Sequence, residues 1–221
     1  MIILAHRGLW KEPDQRNSRA ALRMAFERGY GVETDVRDSG GKLVISHDMA
    51  GPAELPLSTV LADYDAAGTP GCLALNIKAD GLASALLDEL DAFEGMRSKT
   101  FVFDMSVPDT LPYLGKLPVF TRWSELEPLP PLETRAQGIW MDCFVNAWVS
   151  PVEIVRRLEL GQRLAVVSPE LHKRDCYHSF WKLLDRHLSR VDMPKEVIGN
   201  NLMVCTDFPE DAELHFSRNQ K

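Results

Sequence analysis

Short apolar runs rich in β-branched residues return at intervals along the whole chain, separated by stretches whose apolar positions have helical spacing. That alternation is the mark of βαβ units and a parallel sheet. The runs cover residues 2–5, 31–36, 73–77, 100–103, 118–120, 138–141, 164–167 and 202–205. Eight such strands suit an α/β fold in which one sheet closes on itself, a (β/α)₈ or TIM barrel. Helices are expected at 18–29, 82–93, 151–160 and 177–191. In the first, Ala21, Leu22, Ala25 and Phe26 share a face and Gly29 supplies a stop. In the third, Ser150 reads as N-cap, Pro151 as first-turn residue and Gly161 as terminator.

One segment departs from plain alternation. Residues 43–46 follow the second strand across Asp38-Ser39-Gly40-Gly41, a turn signal that predicts a short hairpin extension after strand 2, carrying His47 and Asp48 over the barrel mouth. The proline-rich stretch 125–131 reads as a loop, since strand signals continue closely on both sides. At 221 residues the chain is expected to form one domain, residues 1–221, with no internal repeat.

No stretch approaches the roughly 20 apolar residues of a spanning helix, so stable membrane insertion is not expected. The apolar start, Met1 to Ala5, is too short for a secretory core. Cys72, Cys143, Cys176 and Cys205 are far apart with no C-x-x-C pair, which disfavours a zinc knuckle or disulfide scaffold and suits a reduced, cytoplasmic protein. A formal net charge of −7 argues against nucleic acid as a partner. The oligomeric state has no signature.

Polar residues gather just after the apolar runs, where a barrel builds its active site. Glu33 and Asp35, two apart on a strand, present their carboxylates to one face, a clamp for a hard divalent cation or simply a polar strand end. His6 and His47 suit a proton-transfer pair, although either alone also fits a satisfied buried histidine. Arg7 can grip a phosphate oxygen or pair with a rim carboxylate such as Asp207.

The series His6-Arg7-Gly8, Asn17-Ser18, Glu33-Thr34-Asp35-Val36 and His47-Asp48 resembles, in order and spacing, the signature of the glycerophosphodiester phosphodiesterases. Thr206-Asp207-Phe208-Pro209 is similar to that family's final strand turn. The resemblance implies a metal-dependent barrel with His6 and His47 as acid and base, and Glu33 and Asp35 as metal carboxylates. It also implies Arg7 on the phosphate, with Lys78 and Asn17 among the substrate-binding residues. A substrate hydroxyl beside the phosphate would attack it, giving a cyclic phosphate that water later opens.

Two departures stand out. Where the family has Pro-Glu-Asn this chain has Gln15-Arg16-Asn17, placing a cation where an acid is usual. The family's third metal carboxylate, in a Glu-x-Lys pattern, is matched by Asn76-Ile77-Lys78, whose amide oxygen binds hard cations without charge. Glu170, just after the seventh run, is the expected substitute ligand; pairing with Lys173 or Arg174 is its alternative. His172 beside it, and Trp10 and Trp148 near the mouth, are further candidates for substrate contact, with packing the plainer role for the tryptophans. The chain is thus expected to hydrolyse a small glycerophosphodiester or sugar-linked phosphodiester with one Mg²⁺ or Ca²⁺. A phospholipase D-like lipid phosphodiesterase and a non-catalytic phosphosugar-binding barrel are the alternatives.

Overall fold

The structure, a computed structural model, describes residues 1–146 and 149–217. It is mixed α/β and divides into two compact units, Leu4–Phe120 and Met1–Ile3 with Thr121–Lys221.

In the first unit β1 (Ile2–His6) runs parallel to β2 (Gly31–Ser39), with His6 opposite Glu33. The second strand is longer than expected. Its last residues, 36–39, pair antiparallel with β3 (Lys42–Ile45), which pairs in turn with β4 (Leu55–Pro56), so the hairpin extension is present. On its other edge β2 pairs in parallel with β5 (Leu73–Ile77), placing Asn76 opposite Asp35, and β5 pairs with β6 (Thr100–Phe103).

Helix α1 (Arg19–Glu27) starts where Ser18 Oγ accepts from the Ala21 N–H, and buries the expected Ala21, Leu22, Ala25 and Phe26. It ends at Gly29, whose φ of +84° suits a left-handed stop. Helix α2 (Leu57–Ala66) was not among the expected helices. Leu57, Val60, Leu61 and Tyr64 nevertheless have the i, i+3, i+4, i+7 spacing and are buried. The Tyr64 ring lies 5.0 Å from that of Phe26, seating α2 against α1. Then come α3 (Ala83–Asp91) and the single turns α4 (Met96–Lys99) and α5 (Val107–Thr110).

The strand expected at 118–120 is displaced to β7 (Phe120–Trp123). Pro118 has no N–H to give a ladder, and its carbonyl accepts from Val102 N while Val119 makes only an isolated bridge to Val102.

In the second unit β8 (Gly138–Met141), β9 (Arg163–Val167) and β10 (Leu202–Thr206) pair in parallel, consecutively. Helix α6 (Pro151–Glu159) begins as expected, with Ser150 Oγ accepting from Val152 N, and Gly161 follows its end at φ +77°. Helices α7 (Tyr177–Leu188), α8 (Lys195–Asn201) and α9 (Pro209–Ser217) complete the unit. Trp181 on α7 is wholly buried in a core with Ile139, Leu158, Leu164, Leu202 and Phe216. No described helix is long and apolar enough to cross a membrane.

Candidate active site

The first unit gathers the strongest candidates at the C-terminal ends of β1 and β5 and on the first half of β2 between them. At the end of β1 the chain turns sharply. Arg7 has φ +58°, its N–H donates to the Glu33 carbonyl at 2.8 Å, and Gly8 follows at φ +91°. A side chain at Gly8 would bring its Cβ to 2.6 Å from the Ala21 backbone, so the His-Arg-Gly triplet needs glycine for α1 to pack this closely. His6 and Arg7 are thereby fixed over β2.

Glu33 and Asp35 are buried, at 2% and 0% exposure. His6 Nε2 stands 3.8 Å from Glu33 Oε2, a close approach but too long for a hydrogen bond. Asp35 Oδ2 is met by Arg7 Nε at 3.0 Å and by Asn17 Nδ2 at 2.9 Å, while Lys78 Nζ lies 3.4 Å from Oδ1. Two carboxylates thus face two cations, and the cations are held by Asp35.

Glu33 is the less compensated acid. Burial first, and then the negative charge of Asp35, push its carboxyl up to about 8, against partial relief from Arg7 and Lys78. Asp104 adds to the upward push. It follows the last residue of β6 at φ +70°, a conformation Asp tolerates better than most residues. Its place directly after the apolar run 100–103 is the one signal of it that the sequence carries.

Three buried oxygens here accept no hydrogen bond among the described residues: Glu33 Oε2, Asp35 Oδ1 and Asn76 Oδ1. Buried oxygens are rarely left so unless something else meets them. All three are hard donors, and they lie on adjacent strands with Asp35 and Asn76 in register. This donor set fits Mg²⁺ or Ca²⁺. Among the described residues no three His, Cys, Asp or Glu side chains are grouped to hold a metal ion. The third donor here is an amide.

Trp10 donates its indole N–H to the His6 carbonyl at 2.9 Å, and the Arg16 guanidinium lies 4.2 Å over its ring. The residue that departs from the Pro-Glu-Asn pattern is therefore used to stack on Trp10. His47 stands half-exposed after β3, its Nδ1 3.0 Å from Asp48 Oδ1.

The remaining candidates lie in the second unit. Glu170, in a 3₁₀ turn over Pro169–His172, accepts from the hydroxyls of Ser168 and Thr206 and, at 3.2 Å, from Asp207 N. Arg174 donates instead to the carbonyls of Cys143 and Phe144. Burial raises the Glu170 carboxyl while these hydrogen bonds pull it down. His172 Nε2 lies 2.6 Å from Asp142 Oδ1 and its ring packs edge-on to Phe144. Asp142 is thus the partner that orients His172, a pairing that spacing in the sequence gave no means of finding. Trp123 lies beneath the Arg157 guanidinium, 3.8 Å from its ring centroid, and Trp140 is buried, so both pack. Trp148 lies outside the described residues.

Solved structures that match over nearly the whole chain include two glycerophosphodiester phosphodiesterases. A glycerophosphodiester phosphodiesterase from Agrobacterium tumefaciens str. C58 superimposes with a TM-score of 0.64 at 16% identity over 99% of each chain. A second, from Parabacteroides distasonis ATCC 8503, gives 0.55 at 20% identity, covering 99% of this chain and 98% of the other. The chain has the glycerophosphodiester phosphodiesterase fold. No protein-family model and no curated protein matches. The likeness the sequence motifs suggested is therefore borne out at the level of fold, and within that fold His6, Arg7, Asn17, Glu33, Asp35, Asn76 and Lys78 come together in one unit.

Proposed function

We propose that the chain is a metal-dependent phosphoric diester hydrolase of the (β/α)₈ barrel class, acting on a glycerophosphodiester or a related sugar-linked phosphodiester. The observation that carries this reading is the trio of buried oxygens on Glu33, Asp35 and Asn76 that accept no hydrogen bond among the described residues, beside His6, Arg7 and Lys78. A simple packed core has no use for it. The shared fold supports the same assignment.

Glu33, Asp35 and Asn76 would hold one Mg²⁺ or Ca²⁺. When bound, the ion supplies Lewis-acid stabilisation of charge on the phosphate. Glu170 is left out of this set, because its carboxylate already accepts bonds from Ser168, Thr206 and Asp207. Arg7, tethered to Asp35 through Nε, keeps its Nη edge for a phosphate oxygen, and Lys78 adds a second positive charge.

His6 and His47 divide the proton work. One takes the proton of the substrate hydroxyl as its oxygen bonds to phosphorus. The other protonates the oxygen that leaves as alcohol. Water then opens the cyclic phosphate with the two roles exchanged, giving glycerol phosphate. His6, with its side chain only 14% exposed, stands beside Glu33, and in this reading the more open His47 would meet the arriving substrate.

A panel of glycerophosphodiesters and sugar phosphodiesters, assayed with Mg²⁺ or Ca²⁺ and with chelator, tests the proposal. Release of alcohol that needs the ion is expected. Release indifferent to chelator would overturn the metal mechanism.

A further inference from the structure

Asn17 stands in the phosphodiesterase-like motif as a candidate substrate ligand, yet its side chain is committed elsewhere. We infer that Asn17 is a positioning residue, which clamps one oxygen of Asp35 and so presents the other to a divalent cation. The inference rests on the metal reading above and adds a residue to the second layer of that site.

Both polar atoms of the amide are engaged. Nδ2 donates to Asp35 Oδ2 at 2.9 Å, and Oδ1 accepts from the Thr34 hydroxyl at 2.8 Å. Thr34 and Asp35 are consecutive residues on β2, and the single amide ties their two side chains together. The Asp35 carboxylate, which only accepts, fixes the sense of the amide: reversed, the amide would set an oxygen against it, whereas the Thr34 hydroxyl can serve either way.

The consequence appears in how Asp35 is shared. Oδ2 accepts a hydrogen bond from Asn17 Nδ2 and is ion-paired with Arg7 Nε at 3.0 Å, whereas Oδ1 accepts no hydrogen bond among the described residues and is ion-paired with Lys78 Nζ at 3.4 Å. Oδ1 belongs to the same set of buried oxygens without a hydrogen bond as Glu33 Oε2 and Asn76 Oδ1. A carboxylate gripped at one oxygen cannot rotate away from its ligand, which is the usual work of a partner behind a metal-binding side chain.

The backbone of Asn17 is built for this placement. Its φ of +60° is a left-handed value that Asn adopts readily, and its N–H donates to the Arg7 carbonyl at 2.9 Å. Arg7 and Asn17, the two residues that grip Oδ2, are therefore joined to each other through the main chain.

Calorimetric titration of the full chain with Mg²⁺ and Ca²⁺ tests the inference, using Asn17→Gly, which tolerates the left-handed backbone, and Asn17→Asp, which keeps the shape but loses the donor. Each is expected to weaken cation binding about 10- to 100-fold. At saturating cation the KM for a glycerophosphodiester should stay near the wild-type value, whereas a residue that binds substrate would raise it. If Asn17→Gly fails to fold, Asn17→Asp decides. Unchanged cation affinity in a folded variant, or a raised KM at saturating cation, would overturn the inference alone. A wild-type chain that binds neither cation would overturn the metal reading and the inference with it.

Discussion

Glu33→Gln isolates the electrostatic cost of the site. In the metal-free folded chain the Glu33 carboxyl keeps its proton up to about pH 8, whereas its ordinary value is 4.5. Between these pH values the unfolded chain has released the proton and the folded chain has not. Raising pH therefore favours the unfolded state, by about 1.4 kcal/mol for each pH unit. From this group alone the metal-free protein should lose about 3 kcal/mol of stability between pH 4.5 and pH 7, and about 5 kcal/mol once pH exceeds 8. The stability is fully present below pH 4.5 and is lost as pH rises through 8. Glutamine has nothing to ionise, so the variant should escape that loss. Chemical denaturation of both chains in chelator, at intervals from pH 5 to 8.5, measures the difference, and other titrating groups largely cancel in the subtraction. Parallel curves for the two chains would refute the reasoning. A cation held by the ionised carboxylate should also displace the proton, so affinity below pH 8 should rise about tenfold per pH unit in wild type and lose that dependence in Glu33→Gln.

Further outcomes follow from the same geometry. His6→Ala and His47→Ala should each lower phosphodiester turnover about 10²-fold or more with the unfolding midpoint little changed, measured by alcohol release and thermal denaturation. Asp35→Asn should abolish detectable cation binding by calorimetry. It should also destabilise the chain by about 2 kcal/mol, less than for a wholly buried pair because Arg7 and Lys78 are about one-fifth exposed. Gly8→Ala should cost about 2 kcal/mol or more by denaturant unfolding and lower turnover as well, since the added Cβ meets the α1 backbone and moves the His6-Arg7 turn.

Much of the fold was legible because the strands are near-continuous apolar runs and the helix ends carry strong punctuation, as at Ser18, Gly29, Ser150 and Gly161. The strand expected at 118–120 slipped to Phe120–Trp123 because Pro118 and Val119 look like strand residues, while the proline cannot donate to a ladder. Helix α2 escaped notice although its apolar spacing was present, since Pro56 lacks the side-chain oxygen of a usual N-cap. At the site, the two-residue spacing of Glu33 and Asp35 foretold a shared face. It did not foretell that Asp35 would be wholly buried and held by three side chains. Nor does a motif reveal whether an asparagine faces substrate or its neighbours: Asn17 faces Thr34 and Asp35. The local neighbours of Glu170, Ser168 and Thr206, lie 2 and 36 residues away, and only folding brings the second within reach.

The central claim is that Glu33, Asp35 and Asn76 form a cation site that serves phosphodiester cleavage beside His6 and His47. Steady-state release of alcohol from a glycerophosphodiester, followed with purified chain while Mg²⁺ or Ca²⁺ is titrated into chelated enzyme, tests it most directly. The account predicts turnover that saturates with the cation, returns to background on adding chelator, and is lost in Asp35→Asn at every cation concentration. Turnover that persists in chelator, or survives Asp35→Asn, would contradict it.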